Sequence, residues 1–353
     1  MKHILRHFVQ TAMCLATVAA AVTATSCDAF HKLGNERGMT AQGAAYELVV
    51  VSNTPTWEGP AGETLKSILQ QPVPALNQSE PMWNVLRVTP DGFKNVIAKH
   101  RNVIKLLVDE GLESAIGVQY DVAAHPQTMM LIQASTQQAL ADYIAENSDN
   151  ILYVLEKSER DRTLEYASKY YEGALRSLIR EKFGVDMRVP KGYMLRSQSE
   201  DFVWISYEHK LASQGFFIYS YPYKGTQSLR PEALIANRNK FASRIPGPSD
   251  GSYMITYDEA EPLTKAMRIN GRLWIEMRGL WDVKNDFMGG PFVSFSTVDT
   301  ETNRVITLDC YVYSPQLPKR NYLRPLEHLV YLMEFPDAEL SVEASAVEVG
   351  AER

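Results

Sequence analysis

Cysteine is nearly missing from this chain. Its 353 residues include three, Cys14, Cys27 and Cys310. Cys14 lies in the N-terminal hydrophobic segment and Cys27, at its end, would be lipidated, so the mature domain keeps Cys310 as its one free thiol and can form no internal disulfide. Its fold must rest on core burial. Cys310 sits in the apolar run VITLDCYVY and reads as a small buried core residue. No CxxC, HExxH or Walker-type sequence occurs, and His31, His100, His125, His209 and His328 fall in no metal-ligand spacing. No metal or cofactor is therefore expected. An excess of basic charge is lacking too. Thirty-six Lys and Arg face 42 Asp and Glu, for a net charge of −6. Removal of residues 1–26, with Lys2 and Arg6, takes this to about −8. Phosphate binding needs a basic surface, so nucleic acid is excluded as the expected partner.

The strongest signal is at the N-terminus. MKHILRHF supplies a short basic region, FVQTAMCLATVAAAVTA an apolar, small-residue stretch, and TSC ends it at Cys27. No stop-transfer pattern follows, so residues 1–26 read as a secretory signal peptide rather than a membrane span. A cysteine directly after Ala24, Thr25 and Ser26 resembles a bacterial lipobox, although the −3 position is Ala24 rather than the usual Leu. Cleavage there would make Cys27 a lipidated N-terminus, attaching the protein by acyl chains such as palmitate. The other reading is ordinary signal cleavage with Cys27 incidental. Residues 27–44 are polar, small and unpatterned, a tether.

The coarse pattern predicts an α+β fold, mainly antiparallel sheet with several packed helices. An N-terminal half is expected over 45–149, a connecting long helix over 150–184, a C-terminal half over 185–336 and an acidic tail over 337–353. YELVVVSN (46–53) and WNVLRVTP (83–90) read as strands, and ETLKSILQQP (63–72) and TQQALADYIAEN (136–147) as helices. FKNVIAKHRNVIKLLVD (93–109) is ambiguous; its β-branched residues favour two short strands, NVIA and NVIKLLV. SAIGVQYDVAAHPQTMMLIQAS holds two more. Leu164, Ala167, Tyr171, Ala174, Leu175 and Leu178 form one helical stripe that Gly184 ends. EKSERDR (156–162) interrupts it as a solvated face or a joint. FVWISYEHKLASQGFFIYSYP (202–222) reads as an aromatic hairpin, PEALIANRNKFASRI (231–245) as a helix with proline in its first turn. SYMITYD, RLWIEMR, PFVSFSTV and RVITLDCYVYSP read as four antiparallel strands, and RPLEHLVYLMEF (324–335) as a closing helix. The similar order of elements in the two halves raises the idea of a duplication, although no residue-level repeat is visible.

Chemical motifs are weak. GPSDG (247–251) matches G-x-S-x-G, but a nucleophile elbow needs strand before and helix after; the order here is reversed, and a turn is the better reading. Carboxylate pairs such as Asp282 with Asp286 and Glu200 with Asp201 could serve a glycosidase only if they faced each other across a bond.

RGLWDVKNDFMGGPFVSF (278–295) raises the main question. The segment between its flanking strands looks longer than a hairpin needs. Gly289 and Gly290 permit unusual backbone conformations and Pro291 fixes the next strand's entry. Trp281 and Phe287 either fold back over the core or face a ligand. Arg278 and Trp281 have hot-spot composition. The candidate binding residues are therefore Arg278, Trp281, Asp282 and Phe287, with Trp204 and Tyr219 from the aromatic hairpin.

This run, with IPGPSDGSYM before it and YVYSPQLPKRNYLRPLEHLVY after it, resembles a family of Bacteroidetes envelope lipoproteins catalogued as a domain of unknown function. The resemblance spans about 45–335. It implies an anchored domain on the outer or inner membrane, facing the periplasm or the surface, and brings no catalytic residues. The expected role is binding or assembly, with peptidoglycan, a glycan or an envelope protein as partner. The alternatives are an envelope hydrolase working through dispersed carboxylates and a structural subunit of an oligomer.

Overall fold

The computed structural model describes residues 39–335. The expected signal peptide, Cys27, most of the tether and the acidic tail lie outside these residues. Thirteen strands and seven α-helices occur among them, an α+β fold. The chain divides into two compact units, the first made of 39–70 and 83–156, the second of 71–82 and 157–335.

The first unit carries a five-stranded sheet. β1 (Glu47–Val51) is a run of β-branched residues, buried on both faces. Such a run marks a strand covered on both sides, as parallel strands are. It pairs in parallel with β2 (Asn84–Val88) on one side and β3 (Asn102–Val108) on the other. β3 pairs in parallel with β5 (Thr128–Ala134), and β4 (Ala115–Tyr120) closes that edge antiparallel. After β1, Asn53 caps α1 (Thr54–Glu58) by accepting from the Thr56 amide at 2.8 Å, and Pro60 opens α2 (Pro60–Leu69). These helices supply the crossover that parallel β1 and β2 require. α3 (Gln137–Glu146) follows β5, capped by Thr136, and buries Leu140, Ala141 and Ile144. Val49, Val51, Val103 and Met129 pack on the sheet's other face under Phe93 and Ile97.

That packing corrects the reading of 93–109. NVIKLLV is β3, but NVIA is not a strand. Asn95 takes a left-handed conformation (φ 55°), and Ile97–Lys99 forms a 3-10 turn that lays Ile97 on the sheet face. The sheet is also mostly parallel, where the second unit's is antiparallel with eight strands, so the two halves are not copies of one topology.

α4 (Ser148–Lys169) runs from the first unit into the second, and α5 (Gly173–Phe183) follows it. The predicted single helix is therefore two. The joint lies at 170–172, where the Glu172 amide donates to the Val189 carbonyl at 2.8 Å and the Lys191 amide to that of Tyr170 at 3.1 Å. EKSERDR is not the joint, and Ser158 and Glu159 within it are buried. Gly184 ends α5 in the left-handed region (φ 72°), as its sequence position indicates.

In the second unit the strands are β6 (Met194–Ser199), β7 (Phe202–Glu208), β8 (Ser213–Pro222), β9 (Tyr253–Thr256), β10 (Leu263–Ile269), β11 (Arg272–Lys284), β12 (Gly289–Asp299) and β13 (Arg304–Tyr313). They pair in the order β10-β11-β12-β13-β8-β7-β6, with β9 beside β10 on the same edge of β11. Side chains alternate strictly. Phe216, Ile218, Val293, Phe295, Leu308 and Cys310 join one core with α5 and α7 (Arg320–Glu327). Phe217, Tyr219, Phe292 and Tyr311 join another, together with Leu234 and Phe241 of α6 (Pro231–Ala242). The closing helix is α7 plus a 3-10 segment, His328–Leu332. β6 and β10 escape the sequence pattern because both are edge strands, largely exposed, without a buried alternating face.

Candidate binding site at the β11–β12 hairpin

The strand connection is shorter than its sequence suggests. β11 runs on to Lys284 and β12 begins at Gly289, leaving four residues, Asn285–Met288, at the tip. Asn285 supplies the left-handed turn (φ 67°). The glycines answer a different need from the one read in the sequence, since neither has a positive φ. They permit close approach. A Cβ on Gly290 would sit 2.1 Å from the Val312 carbonyl oxygen, and one on Gly289 2.8 Å from that of Trp281. β13 can therefore lie close enough for the Trp281 indole Nε1 to donate to the Val312 carbonyl at 3.2 Å.

Of the six expected binding residues, two belong to the interior and three are half-buried. Trp281 is 2% exposed and meets Tyr311 edge-on. Tyr219 is buried in a stack with Phe217, Tyr221 and Phe241. Trp204 is half-buried and donates through Nε1 to the Tyr311 hydroxyl at 2.8 Å. Asp282, half-buried, accepts from the Val283 amide at 2.9 Å. Arg278 lies within β11, its guanidinium clamped by Glu276 (2.7 Å) and Glu327 (2.7 Å). These side chains hold the sheet together and offer little surface to a partner. The sequence missed this because an aromatic at an internal strand position and one on a loop have the same local composition.

Phe287 differs from all of these. It is fully exposed. The backbone beneath it is held, because Asp286 accepts from the Phe287 amide at 2.6 Å and also from the Ser249 hydroxyl. The Ser249 hydrogen bond, then the backbone one, keeps the Asp286 carboxyl below its usual range. GPSDG is thus a turn that buttresses the tip, and Ser249 is bonded to a carboxylate rather than to a histidine base.

Two charge clusters are sealed within the second unit. Arg238 and Asp309, each side chain 0% exposed, pair at 2.9 and 3.3 Å; Arg238 also donates to Thr256 at 3.0 Å and lies 3.6 Å over the Phe292 ring. Burial pushes the Asp309 carboxyl up to about 6, against the opposing pull of Arg238. On the other face, burial works to raise Glu327, but Arg278 and Arg324 outweigh it and hold the carboxyl below its usual range. Beside it, burial presses His328 down to about 3, and its Nδ1 lies 3.0 Å from the Thr163 hydroxyl. Among the described residues, no group of three or more His, Cys, Asp or Glu could hold a metal ion.

One polar cluster in the first unit was not foreseen. At the carboxyl ends of β1 and β2, the Arg87 Nη2 donates to the Thr54 hydroxyl at 2.8 Å and the Ser52 carbonyl at 3.3 Å; the Gln137 amide donates to Thr56 at 2.8 Å. Here the buried Ser52 Oγ, Arg87 Nε and Gln137 Oε1 have no protein partner. Buried polar atoms are normally satisfied, often by ordered water. The signal was the polar SNTPT directly after an apolar strand.

Two family models match the chain. Domain of unknown function (DUF8532) covers residues 41–168 and Domain of unknown function (DUF4837) covers 173–331. Their boundary falls at the break between α4 and α5. No curated protein matches. Among solved structures, the human StarD13 (DLC2) lipid transfer and protein localization domain matches at 13% identity, over 46% of this chain and 93% of that one. Its TM-score is 0.15, a level that carries no argument about fold or function.

Proposed function

We propose that this protein is a lipid-anchored component of a bacterial cell envelope, of the Bacteroidetes lipoprotein type its sequence resembles, and that it binds an envelope partner through the tip of the β11–β12 hairpin. The anchor rests on the basic region, apolar stretch and Cys27 at the N-terminus. The binding role rests on Phe287, a fully exposed aromatic on a turn fixed by Asp286 and Ser249. Covering a phenylalanine side chain stabilises a complex by roughly 1.5–3 kcal/mol. A turn already held in place loses little freedom on binding. Aromatic faces suit both sugar rings and protein pockets, in keeping with peptidoglycan, a glycan or an envelope protein as partner.

The hydrolase alternative asks for a raised carboxyl facing a second carboxyl across a substrate. Asp309, pushed up to about 6, faces Arg238 inside the core instead.

A photo-crosslinking amino acid at position 287, in cells of the source bacterium, tests the proposal. An adduct with one envelope protein or a peptidoglycan fragment, lost on competition with the unmodified protein, is the expected result. An adduct with a second copy of this chain would favour the oligomer-subunit reading. Absence of any adduct, with the protein folded and present in the envelope, would refute binding at this tip.

A further inference from the structure

We infer that the amino ends of the parallel strands in the first unit form a lipid-facing surface, which settles on anionic phospholipid headgroups. This rests on the lipid anchor proposed above. The described chain enters the first unit at this end. Met39–Gln42 is laced between two loops: the His125 amide donates to the Met39 carbonyl at 3.0 Å, the Ala41 amide to that of His125 at 3.0 Å, and the Gln42 amide to that of Lys99 at 2.9 Å. Gln127 ties the same loops together, its amide nitrogen donating to the Ala98 and His100 carbonyls at 2.8 Å each and its oxygen accepting from the Ala123 amide at 2.8 Å. β3 starts just after the first loop, at Asn102, and β5 just after the second, at Thr128.

This fixed frame displays apolar side chains to water. Val96 is 63% exposed, Tyr120 62%, Val122 46% and Met39 45%. Tyr120 belongs here because it pairs with Thr128, the first residue of β5. Cations accompany them: Lys94 is exposed, and Lys99 and Arg101 are half-buried at the rim. The acidic groups of the same end face histidines, Asp121 with His125 at 2.9 Å and Glu47 with His100 at 3.7 Å. Tyrosine and aliphatic side chains with flanking lysines are the composition of surfaces that sit at the headgroup level.

The covalent chain enters the unit at this face, which places it nearest the proposed anchor. Twelve peptide steps separate Cys27 from Met39, and a chain of that length reaches at most about 40 Å. A lipid on Cys27 therefore holds this end of the unit near the membrane, raising its effective concentration there. Each lysine close to an anionic surface is worth about fivefold in partitioning.

The test uses the acylated protein purified from membranes, with Val96→Cys, Tyr120→Cys or Leu107→Cys carrying a polarity-sensitive fluorophore. Leu107 is an exposed residue near the carboxyl end of β3, away from the proposed face, and buried Cys310 stays unlabelled. Proteins are reconstituted in vesicles of phosphatidylglycerol with phosphatidylethanolamine, and in phosphatidylcholine alone. Labels at 96 and 120 are expected to shift to the blue and resist an aqueous quencher on the anionic vesicles, while that at 107 stays quenchable. Lys94→Gln with Lys99→Gln is expected to shift the docked-to-undocked ratio about twenty-five-fold toward the undocked state, from the fivefold each lysine supplies. Mass spectrometry of the N-terminal peptide separates the two claims. Acyl chains on Cys27 with equal quenching at 96, 120 and 107 would overturn the lipid-facing surface and leave the anchor standing. An unacylated chain would overturn the anchor; the same vesicles would then decide the surface alone, the shift supporting it and no shift refuting it.

Discussion

Arg238→Met opens the sharpest test of how the second unit is held together. Arg238 and Asp309 are both fully buried, joined by two hydrogen bonds, with Thr256 and the Phe292 ring completing the cage. Removing one member leaves a buried carboxyl without its counter-charge, which costs about 3–5 kcal/mol. Asp309, already pushed up to about 6, would rise further and take a proton, so the cost belongs at the lower end of that range near neutral pH. Replacing both residues, as Arg238→Met with Asp309→Leu, removes the uncompensated group and is expected to fall close to the wild type, since apolar replacements of buried pairs are often neutral or stabilising. Cys310 provides the assay. It adjoins Asp309, is fully buried, and reacts with a thiol reagent only when the unit opens. Labelling at Cys310, read by peptide mass spectrometry, is expected to accelerate by roughly two powers of ten in the single variant, since 1.36 kcal/mol is one power of ten and the cost is about 3 kcal/mol. A single variant within threefold of the wild type, or a double variant as reactive as the single, would refute the reasoning.

Three further outcomes are expected. Gly290→Ala puts a Cβ 2.1 Å from the Val312 carbonyl and breaks the Trp281 bond, so the urea midpoint should fall by the equivalent of about 1–3 kcal/mol or more, while Gly117→Ala, with open space around it, should change little. Ser52→Ala removes a buried hydroxyl without a partner and should be neutral or stabilise by about 1 kcal/mol; destabilisation of the first unit would reveal a water or ligand that the hydroxyl holds. His328 stays neutral when folded, its value held near 3, and ordinary when unfolded. The unfolded chain thus binds the extra proton as pH falls below about 6.5, and stability is lost from there downward, by about 2 kcal/mol at pH 5. Asp309, raised in the fold, acts in the opposite direction between about 4 and 6. The His328 contribution is therefore read as the difference in slope between wild type and His328→Gln in pH-dependent unfolding; equal slopes would contradict the buried neutral imidazole.

What the sequence determined by itself was local. YELVVVSN announced a strand, Gly184 the end of a helix, Pro231 the start of one, and VITLDCYVY an apolar strand with Cys310 in the core. Each is written in contiguous residues, through backbone preference or the period of apolar positions. The class, α+β with a large antiparallel sheet, followed from their order. Pairing was not legible in the same way. Parallel β1, β2 and β3 look like any other short apolar runs, and edge strands β6 and β10 lack a buried face to leave a pattern. The break at 170–172 exists because residues 189–191 arrive there to take the backbone hydrogen bonds, a contact invisible to local periodicity.

The tertiary structure also decided which aromatics meet solvent. Trp281 and Phe287 lie six positions apart in one polar, aromatic stretch, with nothing local to separate them. Pleat direction and the approach of β13 bury the first against Val312 and Tyr311; the four-residue turn leaves the second outside. The same holds for charge. Arg238 and Asp309 are 71 positions apart, and Arg278 and Glu327 are 49 apart, so each looks like an ordinary surface residue until the sheet and its helices close over it. Burial is a property of what packs on a residue from elsewhere in the chain, and only the folded arrangement supplies it.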